Sequence, residues 1–190
     1  MVAEAEHKKG EEGVLTIKRW LESTTYVTIN FTVYDDQVQT TATRLDGEVK
    51  RYDLAGHFLG ENRRPLLVEV KNYTVVGKQP DEYPQFLANA YSITAAAIAA
   101  GVDKKTEFMW VTWHPFSQNK WAHLTSEKEV KAAVEANPEV LADHELDPDI
   151  VRLVAQRLWL AMLNRRQEEL LLSRSELFQI HGVLQRKGMM

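Results

Sequence analysis

The segment Leu66–Lys71, LLVEVK, constrains this chain more than any other. Its apolar and β-branched residues specify a buried strand. Two opposite charges, Glu69 and Lys71, nevertheless stand two residues apart within it. Side chains two apart on a strand share a face, so Glu69 and Lys71 project together while Val68 and Val70 pack on the other side. Such charges are costly in a buried strand unless they meet each other, a metal or a reacting group. Just upstream, RYDLAGHF places Asp53 in a second strand-like run.

The surrounding pattern predicts where that strand lies. GVLTIKRWLES reads as a short helix, with Leu15, Trp20 and Leu21 available for burial. TTYVTINFTVY alternates polar and apolar residues, as a half-buried strand does. VQTTATRL and EVKRYDLAGHFL read as two strands around Asp46-Gly47, a strong hairpin signal, and GENRRP turns the chain into LLVEVKNY. GKQPDEYPQFLANAYSITAAAIAAG reads as a long helix, with Pro84 in its first turn and Gly101 at its stop. The strand TEFMWVTWHPF follows that crossover and so runs parallel to an earlier strand. The order αβββαβ predicts a mixed β-sheet flanked by helices in an α/β core.

Residues 1–12 are expected to form a flexible leader, residues 13–125 the core, and residues 126–190 a helical extension packed on it. In that extension, SEKEVKAAVEAN begins with Ser126 as a cap. DPDIVRLVAQRLWLAMLNRRQEELLL opens at Asp147-Pro148 with apolar residues at helical spacing. SRSELFQIHGVLQRKG reads as a last helical piece.

Composition narrows the function classes. The chain has no cysteine, which excludes disulfides, thiolate metal sites and cysteine nucleophiles. No apolar run approaches the roughly 20 residues needed to cross a bilayer, and the first residues lack a signal-peptide core. A soluble cytoplasmic protein with no membrane partner is expected. The net charge of −4 disfavours nucleic-acid binding at first sight. However, residues 127–149 hold eight acids against two lysines, so the rest of the chain is net positive by two. Arg44, Lys50, Arg51, Arg63, Arg64 and Lys78 all lie near the charged strand in sequence.

If the strands of Asp53 and Glu69 pair, two carboxylates form an oxygen-rich site suited to Mg²⁺ or Mn²⁺. Lys71 beside them supplies a cation that orients an attacking water and balances developing negative charge. The bland alternative is an ion pair between Glu69 and Lys71 on an exposed sheet face, with Asp53 a third surface charge. There is no glycine-rich phosphate loop and no serine in a nucleophile elbow, so no organic cofactor is expected. His114, His123 and His144 lack a tight metal spacing. His57 shares the strand face of Asp53, where it either touches phosphate or packs. Trp110, Trp113 and Trp121 fit a core or an interface better than a base-stacking platform.

Asp53, followed sixteen residues later by Glu69-Val70-Lys71, resembles the PD-(D/E)XK nuclease superfamily. The likeness covers roughly residues 14 to 116, with Tyr52 in place of the nominal proline. It implies a restriction-endonuclease-like fold and a metal-dependent nuclease that hydrolyses DNA phosphodiester bonds, with endonucleolytic cutting the expected mode. It further implies that Asp53 and Glu69 bind Mg²⁺ or Mn²⁺, with the Val70 carbonyl as a third ligand, and that Lys71 positions or deprotonates the attacking water. A first-helix glutamate in many members corresponds to Glu22, or to Glu11 or Glu12 if the helix begins earlier. A Gln or Lys from the next helix corresponds to Gln85, with Lys78 as second choice. Gln85, Asn89 and Ser92 share a helical face by their spacing. Two other readings remain open: a non-catalytic member of the fold that binds nucleic acid or protein, and a structural subunit. A homodimer is expected through the helices after Asp149, where Trp159, Leu160 and Leu163 extend the apolar stripe.

Overall fold

The computed structural model describes residues 2–60 and 62–186. In chain order the elements are α1 (Val2–Thr24), β1 (Val27–Thr32), β2 (Thr41–Thr43), β3 (Val49–Arg51), β4 (Leu54–Phe58) and β5 (Pro65–Lys71). They continue with α2 (Gln79–Ala99), β6 (Glu107–Thr112), α3 (Glu127–Ala136), α4 (Pro148–Ala155), β7 (Leu158–Met162) and α5 (Arg174–Arg186). Five strands form one sheet in the order β1-β4-β5-β6-β7, and β2 and β3 form a separate two-stranded hairpin. The β1–β4 and β4–β5 pairs are antiparallel, whereas β5–β6 and β6–β7 are parallel. The protein is therefore mixed α/β, with β5 at the centre of the sheet.

Alternation along the strands divides the core in two. Leu67, Phe108 and Trp110 pack with Tyr83, Phe86 and Leu87 of α2 on one face. Leu66, Val68, Met109 and Val111 pack with Val14, Ile17 and Leu21 of α1 on the other. The three- and four-residue spacing of Val14, Ile17 and Leu21 is one stripe of a helix. Leu15 lies off that stripe and is exposed, contrary to expectation.

Four further expectations need correction. Residues 2–12 continue α1 instead of forming a flexible leader. The segment docks on the end of the central strand, where the Asn72 side-chain amide donates to the Lys9 carbonyl at 3.0 Å. Secondly, EVKRYDLAGHFL is not one strand. The Tyr52 amide donates to Thr40 of the hairpin, but the Asp53 amide donates to Val68 of the main sheet. The chain changes sheets between these two residues. Thirdly, Pro80 occupies the first turn of α2, and Pro84 lies inside the helix.

The fourth correction is the largest. The apparent helix from Asp147 ends at Ala155, and LWLAM forms β7, parallel to β6. Residues 126–190 are thus not a purely helical extension, because they complete the core sheet; residues 187–190 lie outside the described residues. The break is tertiary in origin. Arg157 donates to both carboxylate oxygens of Asp103, at 2.9 and 2.7 Å, and its carbonyl accepts from the Phe108 amide. The outer edge of β6 needs hydrogen-bond partners, and β7 supplies them. The helical face on which a homodimer was expected is therefore absent. Trp159 lies on an edge strand with 42% exposure, and Leu163 is fully buried.

Other local signals hold. Ser126 accepts from the Glu129 amide, and Asp147 accepts from the amides of Asp149 and Ile150. Gly101 closes α2 with φ of +69°, a conformation favourable to glycine. No helix among the described residues is long and apolar enough to cross a membrane.

Candidate active site

The change of sheets at Tyr52-Asp53 builds the site. The register Leu54↔Val68 places Asp53 opposite Glu69, one step beyond the paired ladder. The Asp53 backbone is held on both sides: its amide donates to Val68 and its carbonyl accepts from Val33. Its Oδ2 accepts a hydrogen bond from the Val70 amide at 2.7 Å. Burial and the neighbouring Glu69 charge push the Asp53 carboxyl up to about 6, against the opposing pull of the Val70 amide, Lys71 and Lys50.

Glu69 is buried at 8% exposure, facing α2. Its Oε1 lies 3.0 Å from Lys71 Nζ. Its Oε2 lies 2.9 Å from Lys50 Nζ. Lys71 also reaches Glu82 Oε2 at 3.1 Å, and its ammonium stands 5.1 Å from the centroid of the Trp110 ring. Burial disfavours the charged lysine, but the carboxylates of Glu69 and Glu82 outweigh it and raise its pKa. Tyr73 donates to both Glu82 oxygens, at 3.1 and 3.3 Å.

Lys50, Glu69, Lys71, Glu82 and Trp110 line a cleft of about 190 Å³ together with Gln85, Phe86 and Asn89. Glu82, Gln85 and Asn89 face it together because residues three and four apart share a helix face. Ser92 does not join them. It is buried, accepts from the Leu45 amide and donates to the Val140 carbonyl, so its role is to anchor the hairpin. Trp110 and Trp113 are core residues, as expected.

Glu22 stands elsewhere. Its Oε1 pairs with Lys18 at 3.1 Å and accepts from the Ile29 amide at 3.0 Å, near the middle of β1. Because α1 begins at Val2, the part of the helix next to the site is the segment around Lys9 to Gly13. Burial, Asp53 and Glu11 together raise the pKa of the Tyr34 hydroxyl, but Glu11 does not group with Asp53 and Glu69 closely enough to hold a metal with them. Lys78 is the N-cap residue of α2, with an exposed side chain. His57 pairs with Asn30 at 2.8 Å on the β1 side.

Lys50 and Glu82 are the residues that sequence reasoning missed. Lys50 has a weak signal, three residues before Asp53 in the hairpin strand. Glu82 has one in its position a helical turn before Gln85.

Asp53 and Glu69 offer two hard oxygen ligands, and the Val70 carbonyl offers a third. Three carboxylates against two ammonium groups leave the cluster one charge negative. With two repelling carboxylates and that residual negative charge, the set fits a divalent cation. Among the described residues, no three His, Asp or Glu side chains group closely enough to hold a metal by themselves. Water ligands would complete the shell, as is usual for Mg²⁺.

Scans against protein-family models and curated proteins give no match. Structural comparison finds a distant likeness to the Moraxella osloensis Cap4 SAVED/CARF-domain containing receptor, at 9% identity and TM-score 0.38. The Acinetobacter baumannii Cap4 receptor with the cyclic trinucleotide 2'3'3'-cAAA matches at 12% identity and TM-score 0.33. Each match covers 96% of this chain but only 42% and 40% of those receptors, so the chain spans less than half their length. Likeness at this level carries no argument about ligand or activity.

Proposed function

We propose that the protein is a metal-dependent nuclease of the PD-(D/E)XK type, with a restriction-endonuclease-like core, that hydrolyses DNA phosphodiester bonds. The observation that carries this reading is the cross-strand placement of Asp53 beside Glu69 and Lys71, at the centre of the sheet, with Glu69 and Lys71 lining a cleft. Asp53, Glu69 and the Val70 carbonyl would hold Mg²⁺ or Mn²⁺, which supplies Lewis-acid polarisation of the phosphate when bound. A divalent cation turns the cluster's charge from negative to positive, as a phosphodiester requires.

Lys71 is held as an ammonium by two carboxylates, so it acts by charge. It faces the negative charge that grows on the phosphoryl oxygens and orients the attacking water. The water oxygen bonds to phosphorus and gives up a proton to solvent, the bond from phosphorus to the leaving sugar oxygen breaks, and that oxygen takes a proton from solvent. Gln85 has an exposed amide at the cleft rim, suited to donate to a non-bridging phosphate oxygen.

A non-catalytic binding protein of the same fold is favoured by one observation: Lys50 and Lys71 already neutralise Glu69. Incubation with plasmid, linear and single-stranded DNA in Mg²⁺, Mn²⁺ or EDTA separates the two readings. Metal-dependent cleavage lost in Asp53→Ala supports the nuclease; no cleavage of any substrate overturns it.

A further inference from the structure

A second cleft, of about 210 Å³, adjoins the first and shares Gln85 and Asn89 with it. The hairpin and α2 wall both clefts: Lys50 lines the first, Arg44 the second. The far wall of the second cleft comes from Asn137, Glu139 and Val140. We infer that this second cleft binds a single unpaired nucleobase next to the scissile phosphate, so that the substrate strand enters the site unpaired. The inference rests on the nuclease reading for the identity of the ligand, and on the cleft itself for its chemistry.

Charge argues for a base over a phosphate. The Arg44 guanidinium is matched by Asp46, and Glu139 adds a negative charge to the wall. What remains is amide chemistry. Arg44 donates to the Asn89 carbonyl oxygen, which leaves the Asn89 NH₂ group to donate. Asn137 uses its NH₂ group on the Ala133 carbonyl, which leaves its own oxygen to accept. One donor and one acceptor match the hydrogen-bonding edge of a base, as in recognition of unstacked nucleotides.

Size and rigidity agree. The volume is below the ~300–1,000 Å³ typical of drug-sized ligands, so it suits one ring system better than a base pair. The walls are tied together. The Leu45 amide donates to Ser92 Oγ at 2.9 Å, and that hydroxyl donates to Val140 at 2.6 Å. The cleft is thus formed before any ligand arrives, which lowers the ordering cost of binding.

The test is fluorescence anisotropy in Mg²⁺ at low salt, with a short labelled DNA single strand carrying cleavage-resistant phosphorothioate linkages and the duplex of the same sequence. Two variants enter the comparison: Glu139→Trp, which fills the cleft mouth from an exposed position, and Asn137→Ala. The wild type is expected to prefer the single strand by about tenfold, and each variant to weaken that binding by about tenfold, the scale of one lost base contact. Absence of binding by the wild type, equal affinity for the duplex, or unchanged binding in folded Glu139→Trp overturns the inference. If Glu139→Trp does not fold, Asn137→Ala decides by the same criterion. Cleavage in Mg²⁺ is measured in parallel. Variant-sensitive binding without cleavage leaves the cleft assignment standing and removes the nuclease reading. Cleavage with variant-insensitive binding removes the cleft assignment alone.

Discussion

Asp53 accepts a hydrogen bond from the Val70 backbone amide at 2.7 Å, so its carboxylate is clamped to the strand that carries Glu69 and Lys71. One turn of chain between two sheets thereby fixes the spacing of two acidic groups. A neutral side chain able to accept the same hydrogen bond keeps the geometry and loses the charge.

That distinction predicts the behaviour of Asp53→Asn without metal. Asp53 titrates near 6 when folded, above its ordinary value of 3.8. The folded state therefore holds the proton more tightly, and stability falls as pH rises from about 4 to about 6. Above that window the ionised carboxylate costs at most about 3 kcal/mol. Asp53→Asn is expected to melt higher than wild type at pH 7 and equally at pH about 4. Thermal melts across pH check this, and a lower melting point at pH 7 refutes the proposed repulsion.

Lys71→Ala is expected to slow metal-dependent cleavage by about 10²–10³-fold, the scale of removing one electrostatic stabiliser. It removes charge and not a ligand, so Mn²⁺ binding by calorimetry should persist. Equal loss of Mn²⁺ binding in Lys71→Ala and Asp53→Ala would show that the lysine has a different role.

Glu82→Ala removes one of the two carboxylates that hold the Lys71 ammonium and also frees Tyr73. The expected effect is a fall in kcat of about tenfold with little change in KM, because the misplaced charge matters at the transition state. A change confined to KM would place Glu82 in substrate binding instead.

Gly56→Ala tests the architecture alone. A Cβ there would meet the Thr28 carbonyl oxygen at 2.1 Å and the Ile29 Cα at 2.9 Å. This lies beside the register shift between Ile29 and Phe31, where β1 and β4 approach closely. Relief requires backbone movement in two strands, so a loss of several kcal/mol or failure to fold is expected. Denaturant unfolding measures it; a loss under about 1 kcal/mol contradicts so close an approach of the two strands.

What the sequence determined by itself was local. The two-residue period of LLVEVK placed Glu69 and Lys71 on one face, and Ser126, Asp147 and Gly101 marked helix ends through side-chain or backbone chemistry confined to a few residues. The crossover helix and β6 after it were legible for the same reason, whereas EVKRYDLAGHFL, which reads as one strand, divides between two sheets. The tertiary structure decided the rest. LWLAM continues a helical period from α4 with no glycine or proline to break it, and only the open edge of β6 and the Asp103–Arg157 pair make it a strand. Lys50 and Glu82 converge on the site from a hairpin and a helix that no local pattern brings together. Glu22 and Glu11 differ only in their position along α1, and which lies near the site follows from how that helix docks on the end of β5. Periodicity acts over neighbouring residues, whereas ion pairs and strand edges select partners through space, which a linear pattern does not encode.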